Sequence, residues 1–368
     1  MTLSAETQQV SRKVLVAVVD GNAEHRRQVA IALTSFYQLA DYANLDFALM
    51  ELAHTPPCVI LLDEMSTLRR GGDPITEIRR QLPGTPIIIM EEHLPNRVVA
   101  VTGTADARLT KPFRRSTLIK TISALVNKTV EAHWETLAPQ YRDSLKRTVE
   151  SFNNISDLID RGEPLAFGDV SSACAPLVDA VRNHDFKVIL DGVKDHDNYS
   201  YVHSLRVATL LSLFGHTLGL KGDALNVLAC GGLVHDIGKM TIPHDILNKP
   251  GRLNDEELKV MHSHVSRSVD YLSLCPSLPH GVLTIAAQHH EKLDGTGYPN
   301  GVKGAELNEL ARMASIVDIF SALTDRRVYK EPMPPEDALS LMTERMDGEI
   351  DKHLLGMFKG MLLEAVSP

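Results

Sequence analysis

Four short apolar runs, each ending on a charged residue, set the strongest limit on what the first third of this chain can fold into. Lys13 to Val19 reads K-V-L-V-A-V-V and stops at Asp20; Cys58 to Leu62 stops at Asp63; Pro86 to Met90 stops at Glu91; Ala107 to Thr110 stops at Lys111-Pro112-Phe113. Runs this short and rich in β-branched residues suit strands buried on both faces. Helical patterns lie between them, as at Ala23 to Phe36 and Pro74 to Gln81. Strands alternating with helices predict a doubly wound parallel sheet, in which polar residues at the carboxyl ends of strands line one crevice. Asp20, Asp63, Glu91 and Lys111 are therefore expected to meet.

After Arg115 the period changes. Leu118, Ile122, Leu125 and Val126 sit at helical spacing, and the polar stretch to Ile159 is broken only by Pro139. One or two long helices fit it, with an apolar stripe that needs a partner helix, and a symmetric dimer would supply one. The tract Arg161-Gly162-Glu163-Pro164 and Gly168 punctuate the segment, and the next domain is placed from about Pro176. No β alternation follows. Val202, Leu205, Ala208, Leu211 and Phe214 recur at three and four, so this part reads as all-helical.

Of the chain's 16 histidines, 11 fall between His184 and His290. Among them stands Leu233 to Pro243, L-V-H-D-I-G-K-M-T-I-P, where His235 and Asp236 pair an imidazole with a carboxylate. Such a pair suits iron, manganese, nickel or zinc better than calcium. In a helical domain the ligands must come from several helices that face a common interior. In chain order the candidates are His203, His235, Asp236, His264, His289, His290 and Asp318. His184, His196, His216, His244, His262 and His280 read as ordinary surface or core residues; His262 and His264, two apart, do not share a helix face.

Composition narrows the partners. A formal charge of −9 with no basic block argues against a nucleic-acid polymer, whose phosphates need clustered Lys and Arg. A small anionic ligand stays open, because a bound metal can carry positive charge. No run reaches the ~18 to 20 apolar residues of a membrane helix, and M-T-L-S-A-E-T-Q-Q lacks a secretion-signal pattern, so no membrane contact and a cytoplasmic setting are expected. Cys58, Cys174, Cys230 and Cys275 form no C-x-x-C pair and read as reduced, mostly buried thiols.

Residues 12–127 resemble the receiver domain of response regulators, a flavodoxin-like fold. The resemblance puts the phosphate acceptor at Asp63, beside Asp20, with Lys111 in the lysine-proline step; it implies a sensor histidine kinase or other signalling protein as partner. Three positions depart from that family. Gly21 stands where a second acid would hold magnesium, Glu91 where a Ser or Thr hydroxyl would donate, and Arg108 where an aromatic precedes the lysine. A carboxylate at Glu91 would repel a phosphoryl group. An interaction or dimerisation module therefore stands beside the phosphorylation reading, and magnesium has an incomplete site.

The C-terminal part resembles the HD-GYP family through H-S-L-R-V-A at His203, H-D-I-G-K at His235, His264, H-H-E-K-L-D-G-T-G-Y-P at His289, D-I-F-S-A-L-T at Asp318 and R-R-V-Y-K at Arg326. That family comprises metal-dependent phosphodiesterases that open the bacterial second messenger cyclic di-GMP to pGpG or GMP. The resemblance implies two divalent metals, iron, manganese or nickel ahead of zinc. His203, His235, Asp236 and Asp318 would hold one, and Asp236 would bridge to the other, completed by His264, His289 and His290. Two cations roughly 3.5 to 4 Å apart can share a water and supply hydroxide near neutral pH. Lys239, Arg327 and Lys330 match the family's phosphate-binding cations. A third metal in some members uses a glutamate where Tyr199 stands here, which favours two; Asp195 and Asp197 lie close by in sequence. Tyr298 would either stack on guanine or pack its own loop, and Gly295 and Gly297 would let that loop pass close to the site.

The expected organisation is thus multidomain: a receiver-like doubly wound domain at 12–127, a helical linker at 128–175 and an all-α HD-type domain at 176–368, forming a homodimer. Asp236 and Lys239 are the expected catalytic residues. Two other functions stand beside this one: a non-catalytic module that senses a cyclic dinucleotide or binds a protein, and an HD phosphohydrolase for another nucleotide.

Overall fold

A computed structural model describes residues 15–33, 37–92, 103–194, 196–247, 249, 251–325 and 332–366. The chain divides into two compact units, Met1–Thr129 and Val130–Pro368.

In the first unit the four apolar runs form β1 (Leu15–Val19), β3 (Val59–Asp63), β4 (Ile87–Glu92) and β5 (Ala107–Lys111). A further strand, β2 (Gln38–Tyr42), was not expected. All neighbouring strands pair in parallel, in the order β2-β1-β3-β4-β5. This is the flavodoxin-like doubly wound order. Helices α1 (Ala23–Leu33), α2 (Leu45–Leu52) and α3 (Pro74–Gln81) belong to this unit. The strand side chains alternate between two cores: Ala17, Ile60 and Ile87 face Leu49 and Ile78, while Val16, Leu61 and Ile88 face Leu33, Leu118 and Ile122. Asp73 caps α3 by accepting from Thr76 N, with Pro74 at the first turn.

Every regular element beyond β5 is helical among the described residues: α4 (Arg115–Trp134), α5 (Pro139–Arg161), α6 (Phe167–Arg182), α7 (Phe186–Val193), α8 (Tyr199–Thr217), α9 (Asp223–Val234), α10 (His244–Leu247), α11 (Asp255–Leu272), α12 (His280–Gln288), α13 (Glu309–Thr324), α14 (Pro335–Arg345) and α15 (Lys352–Val366), with short 3-10 turns at Ile237–Thr241 and Gly304–Glu306. The apolar stripe of α5, Leu145, Val149, Phe152 and Ile155, joins one core with Cys174 and Leu177 of α6 and Ile189 of α7. The partner helix sought for it thus lies in the same chain. Trp134 is fully buried in that core and donates from Nε1 to the Gly192 carbonyl at 2.7 Å. Pro176, the expected start of the histidine-rich domain, lies inside α6, and residues 130–175 pack with the second unit. All four cysteines are free thiols, three of them buried.

Helices α8 and α9 pack at the centre of this unit and carry its first ligand candidates. Leu205, Ala208, Ala229 and Leu233 share one core, while Val207, Leu211 and Leu228 join a second with Ile316 and Phe320 of α13 and Phe358 of α15. Both cores sit against one polar interior. Among the described residues no helix is long and apolar enough to cross a membrane.

Candidate metal centre

His203 projects from α8, His235 and Asp236 from the end of α9, His264 from α11, His289 and His290 from the end of α12, and Asp318 from α13. The structure brings all seven together. Their ligand atoms form two groups, His203 with His235, Asp236 and Asp318, and Asp236 with His264, His289 and His290; within each group the atoms lie within 4.8 Å of one another. Asp236 belongs to both. Its Oδ2 is 3.3 Å from His235 Nε2 and 3.7 Å from His203 Nε2, while its Oδ1 is 3.1 Å from His264 Nε2 and 3.6 Å from His289 Nε2. One carboxylate thus turns one oxygen to each group.

The 3-10 turn places Asp236 against α11. A Cβ at Gly238 would stand 2.1 Å from the His264 carbonyl oxygen, so only glycine allows this approach. Gly238 N donates to Ser268 Oγ at 2.8 Å and ties the turn to the helix.

The ligand set fits divalent metals on an observation internal to the fold. Nε2 of His235, His264 and His289 and Oδ1 of Asp236 are buried and have no hydrogen-bond partner among the described residues. His264 Nε2 and Asp236 Oδ1 are near enough for an ion pair but lack hydrogen-bond geometry. Buried polar atoms are rarely left so, and four aimed at one place point to an ion. The electrostatics agree. Burial opposes charge on His235, yet Asp236 and Asp318 outweigh it and hold the imidazole up at about 10. Burial likewise opposes ionisation of Asp236, and Lys239, His235 and His264 keep it well below the usual carboxylate range. Asp318 is held low against burial by His203 and His235. Burial and the neighbouring His289 push His290 well down, leaving it a neutral donor. Such a donor set of imidazoles and carboxylates suits manganese, iron, nickel or zinc.

Residues 187–354 match the HD domain family. This segment is an HD domain. Over 178 residues the chain is 35% identical to a cyclic di-GMP phosphodiesterase of Pseudomonas aeruginosa, covering 48% of this chain and 43% of that protein. Over 165 residues it is 36% identical to a 3'3'-cGAMP-specific phosphodiesterase of Vibrio cholerae, covering 45% of this chain and 35% of that protein. The chain therefore spans less than half the length of these two relatives. A probable cyclic di-GMP phosphodiesterase of Vibrio cholerae is 26% identical over 363 residues, 93% of this chain and 76% of that protein.

Around the HD domain's centre, Lys239 Nζ pairs with Asp236 Oδ2 at the half-exposed edge. Tyr199 stacks on His203, with ring centroids 5.9 Å apart. Arg327, Lys330 and Asp195 lie outside the described residues. Tyr298 lies beside the candidate ligands. Its ring is stacked on His262 at 3.8 Å and on His290 at 4.7 Å. Tyr298 thus contacts a candidate ligand, His290. His262, read as an ordinary residue, belongs to this stack. Glu291 holds the loop from below: buried, it accepts from Asn300 N at 2.7 Å and Val302 N at 3.0 Å. At Gly297 a Cβ would lie 2.4 Å from Lys292 N. Two further residues escaped the sequence reading, Asp325 and Arg206. Asp325 Oδ2 is 3.1 Å from His203 Nδ1, and Arg206 pairs with its other oxygen.

In the first unit a cavity of about 630 Å³ is lined by Asp20, Asp63, His25, Glu92 and Lys111 among others. Lys111 Nζ is 2.5 Å from Asp63 Oδ2 and 3.6 Å from Asp20 Oδ2. Glu91, expected in this crevice, does not line it. Successive strand residues face opposite ways, so the lining carboxylate is Glu92, while Glu91 accepts from Arg108 Nη1 at 2.9 Å. Glu92 thus brings to the cavity the carboxylate expected from Glu91. Gly21 brings no second acid, and His25 Nδ1 instead contacts Asp20 Oδ2.

Proposed function

We propose that this chain is a metal-dependent phosphodiesterase that opens cyclic di-GMP to pGpG or GMP. The observation that carries the proposal is the convergence of three buried, unpartnered imidazole nitrogens on a carboxylate shared by two groups, one of whose oxygens is itself unpartnered. His203, His235, Asp236 and Asp318 would hold one divalent metal, and Asp236, His264, His289 and His290 the other, manganese, iron or nickel ahead of zinc. Bound there, the metals would supply an acidified water and positive charge for a non-bridging phosphate oxygen.

The chain's own residues do the rest. Against the cost of burial, Lys239, His235 and His264 keep Asp236 anionic, so that it would serve both groups. Among the ligands, His290 keeps 22% side-chain exposure, and Lys239 keeps 24%, so the phosphodiester arrives on their side. Lys239, released from Asp236, is the cation that meets it; Arg327 and Lys330 are assigned the second phosphate or a guanine edge, which a guanidinium can grip with two parallel donors. Tyr298 and His262 keep the His290 ring in plane. Signalling input is assigned to the receiver-like unit, from a sensor histidine kinase through Asp63, Asp20 and Lys111, and the assembly is assigned as a homodimer.

Identity to a 3'3'-cGAMP-specific phosphodiesterase is as high as to a cyclic di-GMP phosphodiesterase. A mixed cyclic dinucleotide is thus the second reading. Full-length protein loaded with manganese under reducing conditions, incubated separately with each dinucleotide, separates the two. Linear product from cyclic di-GMP, abolished by Asp236→Ala, supports the proposal. Product from the mixed dinucleotide alone supports the second reading, and binding without turnover supports a sensor.

A further inference from the structure

The orientation of a ligand histidine is set by its other ring nitrogen. In three of the five candidate ligand histidines that nitrogen is satisfied by a main-chain carbonyl of its own helix: His235 Nδ1 by Gly232 O at 2.8 Å, His264 Nδ1 by Met261 O at 2.6 Å and His289 Nδ1 by Ala286 O at 3.0 Å. Each bond leaves Nε2 facing the centre. His203 stands apart. Its Nδ1 meets no carbonyl but the Oδ2 of Asp325, 3.1 Å away and 122 residues further along the chain.

Asp325 is buried at 4% exposure just beyond α13, the helix that also carries Asp318. A buried carboxylate needs partners, and among the described residues Asp325 has two. Oδ2 takes His203, and Oδ1 pairs with the guanidinium of Arg206, one turn along α8 from His203. The guanidinium also donates from Nη2 to Thr324 Oγ1 at 3.0 Å, so both its contacts lie at the end of α13. His203 and Arg206 thus grip one carboxylate from a single helix face.

We propose that Asp325 is a positioning residue for metal binding. It accepts the Nδ1–H of His203, which fixes the tautomer with its lone pair on Nε2 and turns that atom toward Asp236 and Asp318. Charge-assisted hydrogen bonds are about twice as strong as neutral ones, so this ligand is also the most electron-rich of the histidines. Arg206 sets the carboxylate's rotamer and neutralises its charge toward the two ligand carboxylates nearby. The proposal rests on the metal-site assignment above and adds to it an asymmetry: only the group containing His203 depends on a carboxylate outside the ligand set.

Stepwise Mn²⁺ titration of the full-length metal-free protein, followed by electron paramagnetic resonance, tests it. Asp318→Ala identifies which step belongs to the His203 group. Asp325→Ala is expected to weaken that step by about 10- to 100-fold and leave the other within about twofold, with Asp325→Asn, which keeps an acceptor without the charge, between Asp325→Ala and wild type. A lowered melting temperature with both steps at wild-type affinity, or an equal weakening of both, would reduce Asp325 to a structural role. A wild-type protein that takes up no Mn²⁺ would instead refute the metal-site assignment beneath it.

Discussion

Replacing Gly238 by alanine tests how closely the 3-10 turn must approach α11. The added Cβ would stand 2.1 Å from His264 O, 2.7 Å from Ser268 N and 2.8 Å from Ser268 Oγ. Two of these are backbone atoms, so no rotamer change relieves the clash. Ordinary contact needs roughly 3.5 Å, and turn and helix must part by on the order of 1 Å. Asp236 Oδ1, 3.1 Å from His264 Nε2, moves with the turn. Active constellations tolerate only about 0.5 Å of displacement. Overpacking costs about 1–3 kcal/mol, more than the ~0.4–1 kcal/mol that a Gly→Ala change returns by restricting the unfolded chain. Turnover is expected to fall on the order of 100-fold, with a lower melting temperature. The control is Gly168→Ala on α6, where nothing lies within 4 Å of the new Cβ and stability should not fall. Wild-type melting and wild-type turnover in Gly238→Ala would refute the close-approach account.

The remaining predictions concern the loop and the surface. Glu291→Gln turns an amide N–H₂ toward the Asn300 or Val302 N–H that the carboxylate now satisfies, and chemical denaturation should show a loss of about 1–3 kcal/mol; an unchanged midpoint would contradict it. Tyr298→Phe keeps the ring against His262 and His290 and should bind Mn²⁺ and substrate as wild type does, whereas Tyr298→Ala should weaken the His264–His289–His290 group; a large loss in KM for Tyr298→Phe would argue for a substrate contact. Burial opposes ionisation of Asp351, but Leu354 N–H, Arg312 and His353 N–H hold its carboxyl below the usual range. As pH falls the unfolded chain takes up that proton first, so its contribution is full above about pH 4 and fades through the folded-state pKa. Asp351→Asn should show a shallower loss of stability with acid in urea titrations, and an identical slope would contradict it.

Much of this architecture was legible where physics acts locally. Apolar runs ending at Asp20 and Asp63 became parallel strands because strands buried on both faces read as continuous hydrophobic segments, whereas A-R-L-T before Lys111 became an edge strand with one buried residue, Leu109. Strand β2, Q-L-A-D-Y, carries no such run because it lies at the sheet edge with partly exposed residues. The seven candidate ligands were legible from motifs on separate helices. Their orienting groups were not, since Asp325 meets His203 across 122 residues with no local pattern to mark it. His262 does not share a helix face with His264, two residues on, which holds for ligands; its stack with Tyr298 depends on the 294–299 loop meeting α11. Glu92 rather than Glu91 reached the first unit's cavity because a single residue of strand register reverses the face. Pro176 breaks a pattern in the sequence yet sits within α6, where surrounding contacts of Leu177 and Val178 hold the helix together.

The shared carboxylate of Asp236 is the centre of the account, and metal content tests it most directly. Full-length wild type, Asp236→Ala and Asp318→Ala are loaded with manganese, freed of excess and analysed by mass spectrometry alongside circular dichroism. Two equivalents are expected in wild type, one in Asp318→Ala, and none held by Asp236→Ala with its helical content intact. Retention of either metal at wild-type affinity by folded Asp236→Ala would contradict the bridge.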